Sequence, residues 1–497
     1  MSKKFFALLA GMCLFAGAAW AKGDTLTVAN IYDAKSLDPV ASNDVASAGV
    51  CIHIYDNLLT ITNDNKLVPQ LATKWEQIDP KTFKFYLRQG VKFHNGEPFT
   101  ADDVVYTVNR AKSDVGAAMK QYTDPIDSVE KIDDYTVVFH LKYPYTPFVM
   151  TLTHMWGGIV NKKAVEAAGD SYGMNPVGTG AFKFVSWAKN DRITLERNDD
   201  YWGDKPAYKT LVMRSISEDN SRTIALESGD VDIAYQISPM DIQRVEENPD
   251  LEIHRVNTTS ITYLGMNCSK KPLDDVRVRQ AIWYALDVPT IHDAAWHGVG
   301  SIPKSAISPE ILYSATDLPQ YTLNVEKAKE LLKEAGVQLP LHIELWTNEL
   351  QQRQDMAQMI QAYLKAVDIQ VDIKVLEWGA YLSGLTEKKH DMFILGWSAS
   401  VPDPDVAVYG VLASKGPSNY TYFSDPTLDE LLEKGRQLPS GDERQATYHK
   451  AQEEIHKQAP WVYLHLSEDA QGAQKYVKNF FPSPISYTRL TGVTFEE

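Results

Sequence analysis

The sequence predicts an α/β protein of more than one lobe, and three observations carry that prediction. At 497 residues the chain exceeds what one hydrophobic core ordinarily serves. From about residue 324 onward, helical patterns alternate with strands (NVEKAKELLKEAG, LHIELWTN, helix 351–365, IQVDIKVLEW, DMFILGWS), the order that builds a mostly parallel sheet. The first half instead carries period-2 strands set among loops rich in small and turn-forming residues.

The N-terminus reads as an export leader. Lys3-Lys4 precede the apolar run FFALLAGMCLFAGAAWA, and Ala19-Trp20-Ala21 fits a small-x-small cleavage site, so residues 1–21 form the expected signal peptide. That run is too short to span a bilayer comfortably, and no later stretch of about 18 apolar residues follows it. The protein is therefore expected to be exported and soluble. Net charge is −16, and loss of Lys3 and Lys4 makes it more negative by two. Such a surface argues against nucleic acid, whose phosphates require clustered Lys and Arg. Export leaves Cys51 and Cys268. Spacing does not decide between one disulfide and two buried thiols.

DTLTVANI opens the mature fold as a strand, and CIHIYDNLLT follows a loop as an amphipathic, partly helical segment. TFKFYL places Phe83, Phe85 and Leu87 on one face of a strand. Thr100 then caps a helix with Asp103 as an acidic capping-box partner, and Val104, Val105 and Val108 supply its inward stripe. TVVFHLKY is the next strand. Gly178-Thr179-Gly180 has two readings: a tight turn entering the strand AFKFVSW, or backbone approaching a ligand. Gly229 ends a helix, VDIAY is a short strand, and Ile237 and Ser238 follow it at a plausible cleft edge.

In the second half TSITYLGMN is a strand, and DDVRVRQAIWYALD is a helix with Val276, Ala281, Ile282 and Ala285 inward. Arg277 and Arg279, near its start, read as tertiary salt bridges. Asn324 caps the helix that Gly336 stops, and Met356, Met359, Ile360 and Tyr363 line helix 351–365. Asp391–Asp405 begins as a buried strand and breaks at Gly396-Trp397 into a polar, proline-interrupted loop. Ligands collect beyond the carboxyl ends of such strands. Trp346, Trp378 and Trp397 all lie there, as ligand walls or as core. Asp425-Pro426 starts another helix, helix 442–458 follows, and APWVYLHLSED is a further strand.

YDNLLTITNDNKLVPQLATKWE and FKFYLRQGVKFHNGEPFTADDVVYTVNR resemble the signature region of the family 5 extracellular solute-binding proteins. The likeness continues in order through NPVGTGAFKFVSW, RNDDYWGDKPAY, ALESGDVDIAY, YLGMNCSKKPLDDVRVRQAIWYALD, EWGAYL and GWSAS. These are the peptide, dipeptide, glutathione and nickel receptors of bacterial ABC importers. The resemblance implies a two-lobed periplasmic-binding-protein (Venus flytrap) fold, type II-like with an enlarged first lobe. Lobe I would cover 22–262 with an extra subdomain at about 46–170, lobe II 263–472, and 473–497 would return to lobe I. Crossings fall near Ser260–Gly265 and Ser467–Gln474.

The implied function is capture of a short peptide or peptide-like ligand, with delivery by a monomer to a permease of the inner membrane, and the implied location is periplasmic. Expected ligand contacts are Gly178, Thr179, Gly180, Ile237, Ser238, Arg353, Trp378, Gly396, Trp397, Ser398, Ser400 and Asp403. Arg353 has two readings, an anchor for an anionic ligand group or a solvent-facing residue at a helix start. Family peptide receptors carry an aspartate three residues after the Gly-Trp pair to hold the ligand's ammonium. Ser400 stands there in this chain, and a hydroxyl cannot neutralise an ammonium. Either Asp403 or Asp405 substitutes from the loop, or the ligand presents its amine differently, as glutathione does.

Glutathione, a nickel complex or haem remain alternative ligands, although no distinctive His cluster marks a nickel site. An exported hydrolase or a chaperone-like scaffold are the alternatives of a different class. The sequence has no Gly-x-Ser-x-Gly, His-Glu-x-x-His, Cys-x-x-Cys or phosphate loop. His449, Glu453 and His456 share one helical stripe and read as a solvated face rather than a metal site. No cofactor is expected.

Overall fold

One ten-stranded sheet runs through the protein. The computed structural model describes residues 23–62, 66–485 and 487–496, so the leader expected at 1–21 lies outside the described residues. In chain order the strands are β1 (Thr25–Asn30), β2 (Phe182–Ala188), β3 (Arg192–Arg197), β4 (Thr210–Ser215) and β5 (Ile233–Ala234). They continue as β6 (Leu251–Met266), β7 (Leu341–Asn348), β8 (Ile369–Leu376), β9 (Met392–Ser398) and β10 (Trp461–Gln474). Their spatial order is β8-β7-β9-β6-β10-β5-β1-β4-β3-β2. The expected parallel pairings appear where β7 lies between β8 and β9. β6 and β10 then pair antiparallel at the centre. A separate four-stranded antiparallel sheet is formed by 72–79, 82–87, 136–141 and 126–133.

The two central strands are far longer than the segments legible in the sequence. β6 has 16 residues and β10 has 14, and each serves two cores. Leu251 of β6 packs with Ala29, Leu226, Ala234, Ile237 and Ala470. Tyr263, Leu264 and Met266 of the same strand pack in a second, larger cluster with Trp461–Leu464 of β10. β10 then runs on to Ala473, which belongs to the first-lobe cluster with Leu26 and Val28. The change of core lies between Leu251 and Tyr263 on β6, and between Leu464 and Ala470 on β10.

Four helices bear on the interior contacts and the cleft: α1 (Val45–Ile54), α2 (Gln351–Leu364), α3 (Pro404–Leu412) and α4 (Asp442–Gln458). Local chemistry accounts for many element ends. The Thr100 capping box forms, with the Thr100 amide donating to Asp103 Oδ2 at 3.0 Å, although Val105 is only half-buried. Asn324 accepts from the Lys327 amide, and Gly229 takes φ +74° after its helix. In helix Val276–Tyr284 the inward stripe is Val278, Ala281 and Ile282, shifted from Val276, and Arg279 is buried with it. Among the described residues neither arginine makes the expected tertiary salt bridge: Arg279 donates to the carbonyls of Leu273, Asp274 and Gln458, and Arg277 pairs with Asp275, the N-cap of its own helix.

Cys51 lies in the first-lobe core and Cys268 packs against the second cluster, both as free thiols. Burial raises both thiol pKa values, that of Cys268 to about 11, which keeps them unreactive. His456 corrects the solvated-face reading: it is buried and packs against Trp283, Tyr321 and Tyr463.

Two interior clamps hold loops that the sequence offered as ligand contacts. Gly178 and Gly180 lie against the end of α1, and a Cβ on Gly178 would meet the Ile54 carbonyl oxygen at 2.1 Å. Thr179 is fully buried and donates to Asp56 Oδ2 at 3.0 Å. Asp56 also receives Trp202 Nε1, Tyr201 Oη and Gln70 Nε2. Glycine is needed here for close packing of backbone on backbone, which removes all three residues from the ligand cleft. Asp403 is likewise interior: it caps α3 and receives both terminal nitrogens of the buried Arg444, at 3.0 and 2.7 Å.

Asp403→Asn strands the Arg444 guanidinium and is expected to cost about 3–5 kcal/mol in urea unfolding. Asp102→Asn, which breaks an exposed pair with Lys131, should cost less than about 1 kcal/mol. Gly178→Ala is expected to destabilise by about 1–3 kcal/mol, read in the same experiment, because the α1 carbonyl must move.

Candidate functional site

The end of β9 sorts its residues by face, since alternate residues of a strand point in opposite directions. Gly396 and Ser398 share one face, and Trp397 takes the other. Trp397 donates its Nε1 to the Val406 carbonyl at 3.2 Å and lines a chamber of about 710 Å³. Ser398 stands opposite Ser260 of β6, and both line a smaller chamber of about 290 Å³. Both chambers lie between the halves of the molecule, with Ser400 at the partition. Its Oγ is 2.6 Å from Tyr122 Oη on the larger side, and its carbonyl accepts Tyr487 Oη from the smaller side.

The larger chamber is walled by Tyr122, Tyr143, Tyr145, Tyr409 and Trp397. Two of its charges are paired with each other, and Lys120 and Asp124 also line it. Asp405 lies 3.2 Å from Arg436 Nε and also receives Tyr145 Oη at 3.1 Å. Burial pushes the Asp405 carboxyl up to about 6 while Arg436 pulls it down. Arg436 stacks on Tyr409 with 3.6 Å between the guanidinium carbon and the ring centroid. The adjoining backbone is also engaged: Thr146 donates its amide to the Arg436 carbonyl at 2.8 Å and its Oγ1 to the Leu438 carbonyl at 2.6 Å. This face reads as a packed contact between residues 117–146 and residues 397–438.

The smaller chamber has the opposite character. Tyr32, Tyr235, Gln236, Asp469, Gln471 and Tyr487 join the two serines there. Among the described residues, Tyr235 Oη and Gln471 Oε1 are buried without a hydrogen-bond partner. Groups of this kind ordinarily find partners, and their clustering marks a surface built to meet polar atoms.

Arg353 reaches the same side of the sheet from the first turn of α2. Its Nη2 packs close to Gly396, where a Cβ would lie 3.2 Å away. Nη1 donates to Asn348 Oδ1 at 3.0 Å, the guanidinium lies 6.0 Å from the half-exposed Trp378 ring, and Nε is buried with no partner among the described residues. Burial lowers its pKa, and the opposing groups around it are the phenols of Tyr381, Tyr263 and Tyr32 rather than a carboxylate. A guanidinium in this setting stays charged and takes an anion in bidentate geometry.

The structure therefore gathers Arg353, Trp378, Gly396 and Ser398 on one side of β9, with Trp397 on the other and Ser400 between. Ile237 is corrected: it is core, donating its amide to the Ala470 carbonyl, and Gln236 before it lines the chamber. Ser238 is half-buried and turns the chain, its carbonyl accepting the Asp241 amide at 2.8 Å. Trp346 is core, filling the space above Gly384 and donating to Glu344 Oε2 at 2.8 Å. Tyr32, Tyr235, Gln236, Asp469, Gln471 and Tyr487 escaped the sequence reading. Of these, only Asp469 fell within a strand read from the sequence, as the last residue of APWVYLHLSED. Among the described residues no group of three or more His, Cys, Asp or Glu is placed to hold a metal, and no helix is long and apolar enough to cross a membrane.

Residues 66–419 match the model of the bacterial extracellular solute-binding proteins, family 5. The dipeptide-binding protein of Escherichia coli (strain K12) is 32% identical over 478 residues, covering 90% of this chain and 89% of that protein. The glutathione-binding protein GsiB of Pectobacterium atrosepticum is 30% identical, covering 95% and 94%. Among solved structures, the ABC transporter-associated periplasmic binding protein DppA of Helicobacter pylori, in complex with the peptide STSA, superposes with a TM-score of 0.85. It is 29% identical, and the match covers 95% of this chain and 98% of that one. The two-lobed architecture, the interlobe chambers and these matches agree: the chain belongs to family 5 of the bacterial extracellular solute-binding proteins.

Proposed function

We propose that this protein is the exported, monomeric binding component of an ABC importer for a short peptide or peptide-like ligand, and that it carries out no catalysis. The ligand is captured between lobe I (22–262, with the extra subdomain at about 46–170) and lobe II (263–472). Residues 473–497 return to lobe I. The closed form is then presented to the permease. The lobe assignment is supported by the separate cores on either side of the β6–β10 crossing.

The observation that carries the ligand class is Arg353. A cation that lacks a protein anion, faces the cleft beside a glycine and stands by an exposed tryptophan suits a carboxylate on an organic ligand. The chamber at Ser398 has a volume of about 290 Å³, at the small end of ligand sites, which favours a short ligand over a long peptide. The relatives that bind dipeptides, glutathione and a tetrapeptide fit the same class.

A thermal-shift screen against di- and tripeptides, glutathione, nickel and haem tests the reading. A ligand at 100 times its Kd adds about 2.7 kcal/mol of stability, an unmistakable rise in Tm, and a screen in which no peptide or glutathione moves the midpoint contradicts it. Arg353→Gln is expected to leave the unliganded midpoint near that of the wild type. By calorimetry it should weaken a carboxylate ligand about 30-fold or more. Unchanged affinity would remove Arg353 from the site.

A further inference from the structure

The position that holds an ammonium in peptide receptors of this family is Ser400, and the structure shows that neither it nor its nearby acids can take that role. The Ser400 hydroxyl is engaged by Tyr122, Asp403 by Arg444, and Asp405 by Arg436. One carboxylate of the cleft is different. Asp469, on β10, lines the chamber of Ser260 and Ser398, and no Lys, Arg or His lies within ion-pair distance of it among the described residues. Gln471 is two residues further along the same strand and so shares its face, with its Oε1 buried and unpartnered. Tyr235 Oη, also unpartnered, completes this polar lining.

Asp469 pairs with Val256 in the regular ladder, next to an irregularity of the facing strand. The β6–β10 ladder is interrupted between Asn257 and Ile261, where β6 bulges and extra residues face the short stretch before Glu468. Bulges of this kind are common beside functional sites. Thr258 and Thr259 fasten the bulge by donating to the carbonyls of Ser467 and Ala399, and Ser260 and Asp469 line the chamber.

We propose that Asp469, rather than position 400, supplies the cation contact, and that the ligand is a small amphoteric molecule whose carboxylate meets Arg353 and whose ammonium meets Asp469. This rests on the receptor reading above. The sheet register sets the size. Gly396, beside Arg353, faces Thr262, which in turn faces His465, four residues from Asp469. Four residues along the strands and two strands across place the anchors roughly 16 Å apart. Two hydrogen bonds of about 2.9 Å leave about 10 Å between ligand charges, the reach of two to three extended residues. Burial raises the Asp469 carboxyl to about 6, against a hydrogen bond from Gln236, a desolvation that a ligand cation offsets.

The test is calorimetry on the full mature protein with Gly-Leu and Gly-Gly-Leu, and with acetyl-Leu and acetyl-Gly-Leu, in which hydrogen replaces the ammonium. Wild type is expected to prefer the free amine about 30-fold or more in at least one pair. Asp469→Asn should abolish that preference by weakening only the amine-bearing probe, and Asp469→Glu should restore part of it. A preference of the same size in Asp469→Asn overturns the assignment, as does a wild type that binds both members of each pair equally. Binding of none of the four probes also overturns it. Native mass spectrometry of the protein taken from its host then separates the two readings: a retained small molecule without an amine keeps the receptor and removes the role of Asp469.

Discussion

Everything about this protein depends on the paired strands Leu251–Met266 and Trp461–Gln474, which are continuous through both halves. A backbone ladder shared by two cores fixes how the halves face each other, because each strand is anchored by buried side chains at both ends. Its weak point is the break in register between Asn257 and Ile261, where side chains of Thr258 and Thr259 replace ladder hydrogen bonds. Bending concentrated there changes the angle between the halves while leaving both cores packed. The smaller chamber sits against this break, so in the proposed reading closure and recognition occupy one place.

The second organising fact is how charge is distributed. Asp403, Asp405, Arg436 and Arg444 form a buried network beneath the loop after β9, each acid matched to a base. That network holds the loop in place, and the loop holds Trp397 and Ser398 to opposite sides. Arg353, beside Gly396, and Asp469, in the lining of the smaller chamber, have no such ion-pair partners among the described residues. Paired charges support the loop, and the unpaired ones are left for the proposed ligand contacts.

Much of the architecture was legible because it is written locally. Period-2 runs, the Thr100 capping box, Asn324 and helix 442–458 are each specified by neighbouring residues, and each element formed. The ordered motifs identified the family. Legibility failed where a residue's meaning depends on a distant partner. Gly178–Gly180 and Asp403 looked like cleft residues because glycines and loop acids often are, yet α1 and Arg444 claim them from far along the chain. Asp469 was overlooked for the converse reason: it lies inside a strand, and only the folded chain shows that it lines the smaller chamber.

The central claim is that the halves close on a ligand about the β6–β10 crossing. Small-angle X-ray scattering of the full mature protein, with and without a ligand whose saturation is verified independently, tests it most directly. The account predicts a smaller radius of gyration and a shorter maximum dimension on binding. Superimposable curves with the site fully occupied would contradict it.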